Sequence, residues 1–252
     1  MSICRMSAPS FPTYSRNLRR ASGLSARGTL KCLSIGERTS LTRISRTLQE
    51  LLAPTELKFF DKNNLPLESH LGNPDQLAKT ISTITNIDID LILRKTSLDY
   101  YSAAQKMSWA SQRHATRVED HAYSLLGIFD INMPMLYGEG EEAFMRLQEE
   151  IVKTSTDHSI FAWALPGTKG EEKLRPKTAR FLLAPSPSYF QGCDKILSGR
   201  DANSAPYPYQ MSNRGLEIVL DMDQPKAHGI LQCHSEDRKD ELLALRLELQ
   251  YA

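Results

Sequence analysis

The chain has 252 residues, 40% apolar and 24% charged, an ordinary soluble composition with enough apolar material for one large core or two small ones. No run of eighteen apolar residues occurs, so no membrane span is expected. The formal charge of +1 hides an asymmetry: residues 1–46 hold nine Lys or Arg against Glu37 alone, a net +8, which leaves −7 for the remainder.

Four cysteines (Cys4, Cys32, Cys193, Cys233) lie scattered without a C-x-x-C pair, which argues against a zinc site and a disulfide framework and fits a reducing, intracellular setting. His114 and His121 have neither the spacing nor the neighbours of metal ligands. No Gly-rich phosphate loop or Ser/His/Asp arrangement appears, so no cofactor or metal is expected and an enzyme gains no independent support.

Residues 1–45 are rich in Ser and Arg and lack an apolar period. They read as a disordered or wrongly assigned segment; a mitochondrial transit peptide and a nucleic-acid-binding arm are the other readings. Thr47 to Leu52 has helical propensity and Pro54 closes it, and Leu57 to Phe60 reads as a short strand. A polar link over 61–76 precedes a helix from about Pro74 to Thr83, with Leu77, Ile81 and Ile84 as its stripe and Asn86 as its stop. Asp88 to Leu93 fits a short helix or a strand.

Between Ser97 and Trp163 the sequence predicts a helical core. A first helix carries Tyr100, Ala103, Ala104, Met107 and Ala110 on one face. A second opens with Thr116-Arg-Val-Glu119, read as a capping box, lines up Val118, Ala122, Leu125 and Leu126, and stops at Gly127 in a left-handed conformation. The loop from Ile128 to Gly140 contains Pro134, Gly138 and Gly140, which forbid a continuous helix and turn the chain tightly around Met133, Met135, Leu136 and Tyr137; it is expected to be packed. A third helix begins at Glu139, Glu141 and Glu142, buries Phe144, Leu147 and Ile151, and is expected to carry the pairs Glu142/Arg146 and Glu149/Lys153 on its wet face.

After Trp163 the pattern shifts toward period 2. Ile160 to Leu165 and Phe181 to Leu183 are strand candidates, Leu216 to Met222 alternates as a half-buried strand, and Gly229–Cys233 with Leu243–Leu249 reads as a hairpin across Ser235 to Asp240, with Leu245, Leu247 and Leu249 facing in. The expected fold class is therefore α+β: a disordered basic N-terminus, a helical middle and a β-rich C-terminal module that looks incomplete at Ala252.

The run from Met107 to Trp163, MSWASQRHATRVEDHAYSLLGIFDINMPMLYGEG…RLQEEI…DHSIFAW, closely resembles the segment that follows the heterokaryon-incompatibility (HET) domain in a group of filamentous-fungal proteins. Arg46-Thr-Leu-Gln-Glu-Leu-Leu-Ala-Pro54 and Lys58-Phe-Phe-Asp61 resemble the end of the HET domain itself, although Ser45-Arg46 stands where that family has Gly-Trp, and its earlier blocks are missing. The resemblance covers residues 46 to 220. It implies four segments: 1–45 basic, 46–96 the end of a HET domain plus linker, 97–156 a helical core, and 157–252 a β-rich module. It also implies fungal self/non-self recognition with cell-death signalling, in the cytoplasm, or in mitochondria if residues 1–45 are a transit peptide. This chain is expected to be a truncated, non-catalytic member acting through protein partners or self-association, without nucleic acid.

Relatives of the HET domain are distantly similar to Toll/interleukin-receptor domains, some of which cleave NAD with a helical glutamate. The resemblance puts Glu50 at that position, and NAD cleavage through Glu50 is the alternative function. Thr116, Glu119, Gly127, Pro134, Gly138, Gly140 and Trp163 are the structural positions of the motif.

Overall fold

The computed structural model describes residues 48–52, 74–113, 115–163, 182–199, 209–212, 215–223 and 228–246. The expectations for residues 1–45, the strand at Leu57 to Phe60, His114, Leu247 and Leu249 fall outside them.

The fold is α+β, with helices first and antiparallel strands after. Helix α1 (Leu48–Leu52) buries Leu48, Leu51 and Leu52. Helix α2 runs Pro74–Thr85, two residues further than expected, and stops at Asn86 as read from the sequence, with a φ of 57° in the left-handed region. Asp88 caps α3 (Ile89–Ile92) by accepting from the Asp90 N–H, which resolves that stretch as a helix. Just beyond it the Arg94 guanidinium donates to the carbonyls of Leu52 at 2.6 Å and Leu51 at 3.0 Å. A cation thus closes the carbonyl end of α1 and fastens it to the helical core.

Helix α4 (Ala103–Ser108) buries Ala103, Ala104 and Met107 as the spacing requires, but Tyr100 lies in a preceding 3₁₀ turn and is 72% exposed. The second predicted helix is replaced by two short ones, α5 (Asp120–Tyr123) and α6 (Leu126–Phe129). Glu119, expected as the far end of a capping box with Thr116, is itself the N-cap position of α5, and its carboxylate is drawn to the loop that follows α6. Gly127 lies inside α6, and the left-handed residue is Asp130 at φ 54°. Val118, expected on the buried stripe, is exposed; Leu125 is fully buried and Leu126 only partly.

Helix α7 (Glu142–Thr154) buries Ala143, Phe144, Leu147, Gln148, Ile151 and Val152, the three- and four-residue spacing of a helix lying on a core. Its expected surface pairs are rearranged: Arg146 pairs with Glu139 and Lys153 with Glu150. Buried Gln148 reads the backbone of Ala184 in both directions, donating to its carbonyl at 2.7 Å and accepting its N–H at 2.9 Å.

Ile160 to Trp163, the described part of the strand expected over Ile160 to Leu165, is not a strand. Residues His158–Phe161 form a 3₁₀ turn with all four side chains buried, and Asp157 caps it through the Ser159 N–H. Leu182 and Leu183 likewise lie outside any strand.

The strands are β1 (Ile196–Ser198), β2 (Tyr209–Ser212), β3 (Gly215–Ile218), β4 (Asp221–Asp223), β5 (His228–Ser235) and β6 (Arg238–Arg246). β5 is the spine: β6 pairs along one edge, while β1 and β4 lie end to end along the other. The predicted hairpin is present with a tighter turn at Glu236-Asp237, held by Lys195 Nζ on the Asp237 carboxylate at 2.9 and 3.1 Å. The predicted strand from Leu216 to Met222 is split, because β3 pairs with β2 and β4 with β5.

One continuous set of buried side chains runs from Leu48 through the helices to Leu231 and Cys233. Its joint is the N-terminus of α4, where three helix N–H groups would otherwise lack partners. The Ala103 N–H goes to Asp157 Oδ2 at 2.7 Å, Ala104 to Ser159 Oγ at 3.0 Å, and Gln105 to Ser102 Oγ at 3.2 Å; Gln105 Oε1 accepts the Ser102 N–H in return. The same two capping side chains reach the strands, Ser102 Oγ donating to the Ile196 carbonyl and Gln105 Nε2 to that of Asp194.

Candidate interaction surface

The loop from Asp130 to Glu141 is held by a cage of side chains from α5 and α7. Glu119, at the start of α5, accepts the backbone N–H groups of Gly138 at 2.7 Å and Gly140 at 3.2 Å on one carboxylate oxygen. Both glycines have positive φ, 107° and 62°, which points their N–H groups back toward that oxygen and explains why glycine occupies both positions. The carboxyl of Glu119 lies below the usual glutamate range, because its own backbone N–H and then those of Gly138 and Gly140 favour the anion.

Tyr123, one helical turn further, lies 2.8 Å from both the Leu136 carbonyl and Glu139 Oε1 and donates its hydroxyl hydrogen toward them. Desolvation and the neighbouring Glu139 raise its pKa. Arg146 Nη2 comes from α7 to Glu139 Oε1 at 2.5 Å and to the Pro134 carbonyl at 2.8 Å. The carbonyls at both ends of Pro134–Leu136 are therefore pinned from beneath.

Tyr137 is fixed on its own. Its ring meets Tyr123 edge-on at 5.5 Å, the Arg117 guanidinium sits 4.7 Å from its centroid, and its hydroxyl donates to Asp120 Oδ1 at 3.2 Å. The charge of Asp120 raises the pKa of this tyrosine.

The cage displays apolar surface instead of hiding it. Met133 is buried and the backbone is held as a packed loop requires, but Met135 is 61%, Leu136 54% and Tyr137 52% exposed, against the expectation that these side chains pack inward. Three adjacent apolar side chains in water on a backbone tied at Pro134, Leu136, Gly138 and Gly140 form a preformed contact surface.

Of the positions singled out in the sequence, Glu119, Pro134, Gly138 and Gly140 meet in this cage. Trp163 belongs to the buried core, its indole N–H donating to the Leu182 carbonyl at 2.6 Å and its ring edge-on to Tyr189. Thr116 is exposed and Gly127 sits in α6. Glu50 lies in α1 beside buried Leu51, and its side chain is outside the described residues. The sequence reading missed Tyr123, Arg146 and Arg117 as loop holders, and Ser102, Gln105 and Asp157 as the joint. Ser102-Ala-Ala-Gln105 carries the spacing of a capping box and was the available signal for the last group.

Among the described residues no group of three or more His, Cys, Asp or Glu is placed to hold a metal ion, and no helix is long and apolar enough to cross a membrane. Cys193 and Cys233 are buried thiols, and burial raises the pKa of Cys233 well above its ordinary value.

The chain is 44% identical over 108 residues to the vegetative incompatibility protein HET-E-1 of Podospora anserina. That match covers 42% of this chain and 8% of the relative, so the chain spans less than a tenth of that protein's length. Residues 142–205, from α7 into the strands, match the family described as Domain of unknown function (DUF8212). No solved structure matches the chain.

Proposed function

We propose that this chain belongs to a fungal self/non-self recognition system, signals incompatibility and cell death by contact with other proteins, and performs no catalysis of its own. The observation that carries the reading is the 44% identity over 108 residues to a vegetative incompatibility protein. The caged, apolar loop at Met135–Tyr137 supports contact as the mode of action. The division at residues 45, 96 and 156 and a cytoplasmic location, with mitochondria as the alternative, are parts of the same proposal.

Inducible expression of the full chain in a filamentous fungus tests it. Growth arrest with uptake of a vital dye is the expected outcome, and normal growth at verified expression overturns it. NAD cleavage through Glu50 is the competing reading. Purified chain incubated with NAD is expected to release no nicotinamide above buffer, since a lone carboxylate does not orient ribose and nicotinamide, and orientation supplies a large share of such acceleration. Turnover that disappears in Glu50→Ala decides for the enzyme.

A further inference from the structure

We infer that the surface formed by Met135, Leu136 and Tyr137 receives a basic amphipathic segment of a partner protein. The inference rests on the reading that the chain acts by contact and deepens it by naming the chemistry of the partner. Three observations meet at this loop.

The first is the apolar display itself, three consecutive side chains each more than half exposed. A partner covering them gains the burial of a methionine, a leucine and a tyrosine ring, of which methionine and tyrosine are enriched at interfaces. The second is rigidity. Glu119 holds the Gly138 and Gly140 N–H groups, Tyr123 and Arg146 hold the carbonyls of Leu136 and Pro134, and Arg117 and Asp120 hold the Tyr137 ring and hydroxyl. Little conformational entropy is left to lose on binding.

The third is the charge of the rim. Asp130 at one end of the loop and Glu141 and Glu142 at the other are exposed, and Asp120 is half-buried beside Tyr137. The basic side chains at the loop are already engaged, Arg117 against the Tyr137 ring and Arg146 on Glu139 and the Pro134 carbonyl. An apolar strip on a loop bounded by exposed carboxylates complements a segment with leucine-like residues on one face and Lys or Arg on the other. The same rim repels an anionic membrane, and a two-fold contact with a second copy would bring the acids face to face.

The test is fluorescence anisotropy with the full chain and two labelled peptides of one amphipathic pattern, one built of Leu and Lys, the other of Leu and Glu. The Leu/Lys peptide is expected to bind, to weaken by about tenfold or more in Met135→Ser/Leu136→Ser, and to weaken as salt rises from about 0.05 to 0.3 M. The Leu/Glu peptide is expected not to bind. Both substituted side chains are solvent-exposed, and an unchanged urea midpoint of the double variant separates lost contact from lost fold.

Equal affinity of the variant, or equal affinity for both peptides, overturns the inference. Binding to vesicles of anionic lipid, or a dimer that Met135→Ser/Leu136→Ser dissolves, overturns it in favour of a membrane or a second copy. Dye uptake on expression without peptide binding removes this surface and leaves the functional reading standing. Peptide binding without dye uptake does the reverse.

Discussion

Gly138 shows how one backbone angle supports a whole surface. At φ 107° a side chain is strained even though nothing lies within 4 Å of where its Cβ would sit, so the constraint is conformational and not steric crowding from neighbours. Gly138→Ala is expected to cost about 1–3 kcal/mol, read as a lower urea midpoint, and an unchanged midpoint would refute the account. Glu119 gives the matching electrostatic prediction. Its folded pKa is lowered, so its contribution to holding the loop is fully present above the ordinary value of 4.5 and fades as the pH falls through the lowered folded value. The amide resonances of Gly138 and Gly140 are expected to titrate together with a midpoint below 4.5, and to lose that titration in Glu119→Gln. A midpoint at or above 4.5 would show that the carboxylate does not hold those groups as an anion.

At the scale of elements, the short helices α5 and α6 depend on the core rather than on their own propensity, since helices of four residues have no independent stability. Leu125, between them, is fully buried and anchors both to the cluster that contains Ile128 and Leu147. Leu125→Asp is expected to destabilise the chain by about 4 kcal/mol or more, because a carboxylate there has neither water nor a partner. Leu126→Asp is expected to cost clearly less, since Leu126 is only partly buried. Thermal melts of the two variants compare them, and equal losses would contradict the burial seen here. A continuous amphipathic helix from Val118 to Leu126 would have put Val118, Leu125 and Leu126 on one stripe. The break between α5 and α6 instead turns Leu125 inward and leaves Val118 outside.

At the scale of the molecule, Asp157 links the helices to the β module. One carboxylate caps α4 through Ala103 and the 3₁₀ turn through Ser159, while the Tyr209 hydroxyl of β2 donates to the Asp157 carbonyl at 3.3 Å. Asp157→Ala removes two helix caps at once and is expected to cost about 2–3 kcal/mol, with much of it restored in Asp157→Asn, which keeps an acceptor. Equal urea midpoints for Asp157→Ala and the parent would remove it from the joint.

The sequence by itself determined the elements whose signal is local. Apolar residues three and four apart in Phe144, Leu147 and Ile151 make α7 wherever it lies, because a helix presents those positions on one face. Asn86 tolerates the left-handed angle that ends α2, and the alternation around Leu231 and Cys233 marks a strand with one face in the core. That Gly138 and Gly140 interrupt the helical pattern was legible too, since glycine adopts positive φ at little cost. Only the tertiary structure decided where polar side chains go. Glu119 has the spacing to cap its own helix, yet two N–H groups presented by the following loop offer its carboxylate a better site, and no local pattern contains that comparison. Arg146 turned from the adjacent Glu142 to Glu139 and the Pro134 carbonyl for the same reason. The stretch Leu216–Met222 was divided between two sheets because period 2 specifies a face and not a partner. Met135, Leu136 and Tyr137 ended in solvent while Met133 entered the core, a division set by where the ties from Glu119, Tyr123 and Arg146 hold the backbone and not by the loop's own composition.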